Sequence, residues 1–182
     1  GHRLYALLAT ALGTGMRQGE LLGLQWEDID FERGLIKVKR SLAQVKGQMI
    51  LKSPKSKSSR RTIRLPGFVI DALKAHKKEG PMVFATTTGT YYGKSNMIRQ
   101  FFKPMLRKAG VPEIRFHDTR HCHASMLLAH GMSIKAVSQR LGHSSVELTL
   151  RTYVHLIPEA DDLLAEKTGE IWGKEPTVEI ET

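Results

Sequence analysis

The sequence predicts an α+β domain, mostly helical, with a small three-stranded antiparallel sheet. Three observations predict it. Apolar residues recur at helical spacing through most of the chain. Alternation at period two is confined to residues 35–65. At 182 residues the chain has a one-domain length, enough for a hydrophobic core. No apolar run is long enough to cross a bilayer and no signal-peptide pattern is visible, so a cytoplasmic setting is expected. A single cysteine, Cys122, excludes an internal disulfide and is read as a small buried apolar residue.

Leu4, Leu7, Leu8, Ala11 and Leu12 keep helical spacing and open the chain with an amphipathic helix, which Gly13 and Gly15 are expected to break. The Gly-rich turn is not a phosphate loop, because the Lys-Ser/Thr ending and a preceding strand are both missing. Arg17 begins a short helix, Gln18 to Leu24, with Glu20 one turn on. Trp26, Ile29 and Phe31 read as packing residues. Leu35–Lys39, Met49–Lys52 and Arg61–Leu65 alternate as the three strands. Gly47 marks one turn between them, and the cationic, Ser-rich run 53–59 marks the other. Pro66 starts a helix through Val69, Ile70, Leu73 and Ala75, and another spans Ser95 to Ala109.

Asp118 or Thr119 can cap a helix through Ala124, Leu127 and Leu128 that stops at Gly131. Ser133 to Leu141 forms the next, ending at Gly142. Ser144-x-x-Glu147 reads as a capping box for a third, with Val146, Leu150 and Tyr153 on its buried stripe. Beyond Pro158, residues 160–165 can form an acidic, partly apolar helix.

Net charge is +10, which favours a polyanionic partner. From Arg33 to Arg64 the chain carries no Asp or Glu among its many cations, whereas after Leu156 acidic residues dominate. A basic body with an acidic end suggests nucleic acid on one surface and a different contact at the other.

The chemistry concentrates between residues 117 and 153. Arg120 is a permanent cation with forked donors suited to phosphate oxygens. His117 and His143 can donate or exchange protons near neutral pH. Tyr153 is a potential oxygen nucleophile. His117, His121, Cys122 and His123 invite a metal reading, but adjacent ligands point in different directions and no glutamate completes a zincin motif. No metal and no cofactor are therefore expected.

His117-x-x-Arg120, then Leu141-Gly142-His143, then Thr152-Tyr153 resembles the C-terminal box of the tyrosine recombinases, the phage and conjugative-transposon integrase family. Thr14-Gly15-Met16-Arg17-Gln18-Gly19-Glu20-Leu21 resembles the family's first box. The resemblance runs from about Leu4 to about Pro158 and implies that residues 1–158 are the catalytic domain, with 159–182 as an acidic tail that packs on a neighbouring subunit. It implies a catalytic set of Arg17, Lys57, His117, Arg120, His143 and Tyr153, with Glu20 in support. Lys57 would be the general acid, with Lys55 the runner-up and otherwise, like Arg60 and Arg61, a DNA contact. Tyr153 would attack a DNA phosphate to form a 3′-phosphotyrosine, His117 would help take its proton, and His143 would bond a phosphate oxygen. Neither metal nor ATP is required, because the covalent link conserves the phosphodiester energy.

Implied partners are double-stranded DNA, further recombinase subunits in a tetramer, and accessory DNA-bending or directionality proteins. The family normally carries an N-terminal core-binding domain that nothing in this chain supplies, so a catalytic fragment with weak, salt-sensitive DNA binding is expected. The competing readings are a noncatalytic DNA-binding module and a type IB topoisomerase-like enzyme. The complete chemical set argues against the first, and the Leu-Gly-His and Thr-Tyr spacing against the second.

Overall fold

The computed structural model describes residues 3–53, 60–154 and 161–172. Helix α1 (Arg3–Thr14) buries Leu4, Leu7 and Ala11 and packs on both α3 (Gly67–His76) and α6 (Asp118–Ala129). Gly13 lies inside α1 rather than ending it, and a side chain there would run into Val69 of α3. The break comes at Gly15, whose φ of 65° is the left-handed conformation that glycine adopts without strain. Arg17 then precedes the short helix α2 (Gln18–Leu22).

The fold is the mostly helical α+β one expected, with an antiparallel three-stranded sheet whose membership differs from the sequence reading. Its order is β1 (Ile29–Asp30), β2 (Leu35–Val38), β5 (Arg61–Arg64), with Ile36 opposite both Ile29 and Ile63 in the core. The Met49–Lys52 segment is not in it. It belongs to β4 (Gln48–Lys52), which forms a separate hairpin with β3 (Ser41–Val45). The reason is the two-residue link Lys46-Gly47, with φ of 48° and 82°, which matches a type I′ turn and closes a tight hairpin.

The stretch 94–108 is one helical run in three parts: α4 (Lys94–Met97), a π-helical turn (Ile98–Phe102) and α5 (Lys103–Lys108). Pro104 explains the wide turn: it has no N–H for the carbonyl four residues back, and its ring crowds that carbonyl.

Helices α6, α7 (Ile134–Leu141) and α8 (Val146–Tyr153) pack together around a second apolar cluster of Ala124, Leu128, Val137, Leu141 and Tyr153. Ser133 caps α7 through Ala136 N–H, and Gly142 ends it with φ of 68°. Ser145, not Ser144, caps α8. The buried face of α8 is Thr149 and Tyr153, while Val146 and Leu150 are exposed with Leu148 and Val154, so the stripe is rotated from the one expected. Neither Asp118 nor Thr119 caps α6 as expected. Asp118 accepts the Arg115 N–H and the Thr119 hydroxyl donates to the Phe116 carbonyl, so both secure the turn before the helix. Cys122 is exposed, because it lies on the side of α6 away from the apolar cluster. An α9 follows (Asp161–Trp172), with Ile171 and Trp172 exposed.

The two clusters meet along a polar seam at the end of α1. A helix leaves its last carbonyls without intrahelical donors. Here side chains of the second unit supply them: His123 Nδ1 donates to the Leu12 carbonyl at 2.6 Å, Arg140 to that of Gly13 at 2.8 Å, and Arg120 to that of Gly15 at 2.7 Å. Cations at a helix C-terminus also suit its dipole.

A Gly15→Ala variant is expected to lose roughly 1–3 kcal/mol of stability in urea unfolding, since it strains the backbone and brings a methyl against His123 and Leu141 at 2.7 Å.

Candidate active site

At the seam, each of two arginines is held by the glycine of the other sequence box. Arg17 donates from Nη2 to the Gly142 carbonyl at 3.0 Å, and Arg120 from Nη1 to the Gly15 carbonyl at 2.7 Å. Both carbonyls are aimed by a left-handed glycine, so the turns that end α1 and α7 set the guanidinium positions. Leu141 packs beneath, fully buried.

Glu20 holds the second layer. Its carboxylate accepts the Arg17 N–H at 2.9 Å and the Arg17 guanidinium at 3.0 Å, and it meets Arg61 through two bonds of 3.0 and 3.2 Å. Burial by itself would raise its pKa, but the Arg61 bonds and charge, aided by Arg17, hold it below the usual carboxylate range. Arg61 was expected at the DNA surface. Its side chain is instead 7% exposed, locked onto Glu20 and onto the Arg140 carbonyl at 2.7 Å. Arg60 is exposed, and Lys55 and Lys57 lie outside the described residues.

Arg120 is buried, and burial together with the charges of Arg17 and Arg61 lowers its pKa to about 9. Its Nη2 has no hydrogen-bond partner among the described residues. A buried N–H without an acceptor is costly, and in a cluster of cations the missing acceptor is most simply an anion.

His143 turns Nδ1 to the buried Thr149 hydroxyl at 2.6 Å. Burial, then the charges of Arg120 and Arg17, lower its pKa to about 4, so the ring is neutral at pH 7. Tyr153 is 3% exposed and burial raises its phenol above the ordinary value, although Arg120 opposes this. The two remaining histidines of α6 were missed as site residues. His121 Nδ1 lies 2.7 Å from Tyr153 Oη. His123 faces the other way, donating from Nδ1 to Leu12 and accepting the Arg140 Nε–H at Nε2, 3.0 Å away. His117, at the N-cap of α6, meets the edge of the His121 ring at 5.0 Å rather than the tyrosine hydroxyl. Burial, then the neighbouring charges of His121 and Arg120, lower its pKa.

The signal for His121 was in the sequence. It lies four residues after His117, so the two rings share one face of α6. Arg140 and His123 carried no such signal, because, apart from their bond to each other, their partners are carbonyls more than seventy-five residues away.

Two arginines thus flank a buried N–H without a partner among the described residues, with a tyrosine hydroxyl on a histidine beside them. The chain belongs to the phage integrase family, whose model matches residues 1–159. It is 40% identical over 185 aligned positions to the "Tyrosine recombinase XerC-like" protein of Caldanaerobacter subterraneus subsp. tengcongensis, covering 87% of this chain and 47% of that protein. It is 30% identical to the ICEBs1 integrase of Bacillus subtilis, covering 87% and 46%. The chain thus spans about half the length of these curated relatives. Among solved structures, the Tn1549 transposon integrase in complex with a circular intermediate DNA superposes with a TM-score of 0.77 at 24% identity, over 93% of this chain and 58% of that one. At that identity the likeness is one of fold.

Two measurements check the seam. Arg61→Ala strips the buried Glu20 carboxylate of its bidentate partner and is expected to cost about 3–5 kcal/mol in urea unfolding. The histidines set an acid limit. His123 and His143 are lowered to about 4 from an unfolded value of 6.5. Between those values the unfolded chain binds more protons than the folded one, so stability rises with pH across the window and is lost as pH falls from 6.5 towards 4. For His123, protonation of Nε2 also opposes the Arg140 bond. The urea midpoint is expected to drop from pH 7 to pH 5, with a smaller drop in His123→Gln.

Proposed function

We propose that this chain is the catalytic part of a site-specific DNA recombinase that cuts and rejoins strands through a 3′-phosphotyrosine. The observation that carries the reading is the buried, unpartnered Nη2 of Arg120, held beside Arg17 and electrostatically coupled to Tyr153. A DNA phosphate placed there gives Arg120 its acceptor and relieves the repulsion between like charges. Both arginines then stabilise the charge on the nonbridging oxygens as it develops. With Thr149 donating to Nδ1, neutral His143 keeps its proton on Nε2 and offers a further donor to phosphate.

Tyr153 Oη attacks phosphorus as the bond to the 5′ oxygen breaks. The phenolic proton passes to a base among the α6 histidines, and the 5′ oxygen takes a proton from the general acid that the family resemblance assigns to Lys57. A 5′-hydroxyl from the same or a partner strand attacks the phosphotyrosine in reverse and restores the phenol. Glu20 acts through Arg17, fixing its guanidinium from behind.

Double-stranded DNA is the substrate, with Arg60 and the neighbouring cations as backbone contacts. In this proposal the protein works within a tetramer on DNA, helped by accessory DNA-bending or directionality proteins, and residues 159–182 contact a neighbouring subunit. The exposed Val146, Leu148, Leu150 and Val154 on α8, and Ile171 and Trp172 on α9, support a covered surface at this end. Among the described residues no helix is long and apolar enough to cross a membrane.

The test is covalent capture on a pool of randomised duplexes carrying a nick, in EDTA. A denaturant-resistant protein–DNA band is expected, and it should vanish in Tyr153→Phe. DNA binding without any such band would overturn the catalytic reading in favour of a binding module.

A further inference from the structure

We propose that His121 is a further catalytic residue, the base that takes the phenolic proton of Tyr153. The inference rests on the recombinase reading above and assigns to this residue the step expected of His117. Its Nδ1 stands 2.7 Å from Tyr153 Oη, within reach for direct transfer, whereas the His117 ring contacts His121 and not the hydroxyl. Two other neighbouring groups are less suited to accept the proton. Arg120 is a cation, and His143 Nδ1 is occupied by Thr149.

The groups that face this pair come from three parts of the chain. His117, Asp118, Arg120 and Cys122 lie at the start of α6, while His143 lies between α7 and α8 and Arg17 before α2.

The step balances simply. The step uses the neutral ring with its proton on Nε2 and Nδ1 as a lone pair. The Tyr153 O–H bond breaks towards Nδ1, the O–P bond forms, and the bond from phosphorus to the 5′ oxygen breaks. The imidazolium then holds the proton next to the phosphotyrosine. On rejoining, when the Tyr153 oxygen leaves phosphorus, the same proton returns to it. One group therefore acts as base in cleavage and acid in resealing.

The experiment compares wild type, His121→Ala and His121→Asn in single-turnover cleavage of the nicked duplex pool, with or without a sulfur in place of the 5′ bridging oxygen. The amide of His121→Asn can occupy the same hydrogen-bond position but cannot carry the proton, so it separates transfer from positioning. Both variants are expected to slow cleavage by about 10²–10⁴-fold. Their rates should rise about tenfold per pH unit, as the phenol must lose its proton to solvent. The sulfur substrate, whose leaving group needs no acid, should leave the defect in place. Wild-type rates in either variant, or recovery with sulfur, would overturn the assignment. Should wild type itself form no covalent adduct, the recombinase reading fails separately. The His121 contact is then judged by the ultraviolet titration of Tyr153, taken as the difference from Tyr153→Phe: a midpoint unmoved by His121→Ala would overturn it.

Discussion

Capping of the C-terminal end of α1 is the interaction on which the rest depends. Three successive turns of logic meet there. The helix has carbonyls it cannot satisfy, the chain reverses at Gly15, and the second helical unit supplies Arg120, His123 and Arg140 as donors. Apolar contact alone would let the two clusters slide past each other. Directional bonds from buried cations to specific carbonyls allow one registry, and the registry places Arg120 against Arg17.

The same seam concentrates positive charge. Arg17, Arg61, Arg120 and Arg140 gather around one carboxylate, Glu20, which accepts from the first two. The balance is left positive, and its effects are visible in three neighbours. Arg120 is lowered to about 9, and His123 and His143 to about 4, with burial the first cause in each and nearby guanidinium charge adding to it. Like charges held this close repel one another, and an anion bound among them, as proposed, would relieve that repulsion. The residues that make the seam cohere therefore also leave it with excess positive charge.

Much of this was legible in the chain. Helical periodicity located most of the helices, Ser133 and Gly142 bounded α7 correctly, and the two boxes singled out Arg17, Arg120 and Tyr153, which the fold brings together across more than a hundred residues. The errors have physical causes. Strand β3 has weak alternation, so Met49–Lys52 was given to the wrong sheet. Arg61 looked like one more surface cation, because nothing local says that Glu20 waits beneath it. On α8, spacing alone put Val146 and Leu150 inward, while the helix turns Thr149 to His143 and Tyr153 to His121.

The sequence by itself determined the residue types: two arginines that cannot lose their charge at neutral pH, a phenol, several imidazoles, and glycines where helices must stop. Those are properties of side chains and of local backbone, carried by a few neighbouring residues. Only the tertiary structure decided which imidazole meets the phenol, which cations face inward, and which N–H is left without an acceptor. Each of those depends on the rotation of a helix about its axis and on carbonyls far away in the chain. Long-range hydrogen bonds settle such rotations, and no local pattern of residues records them.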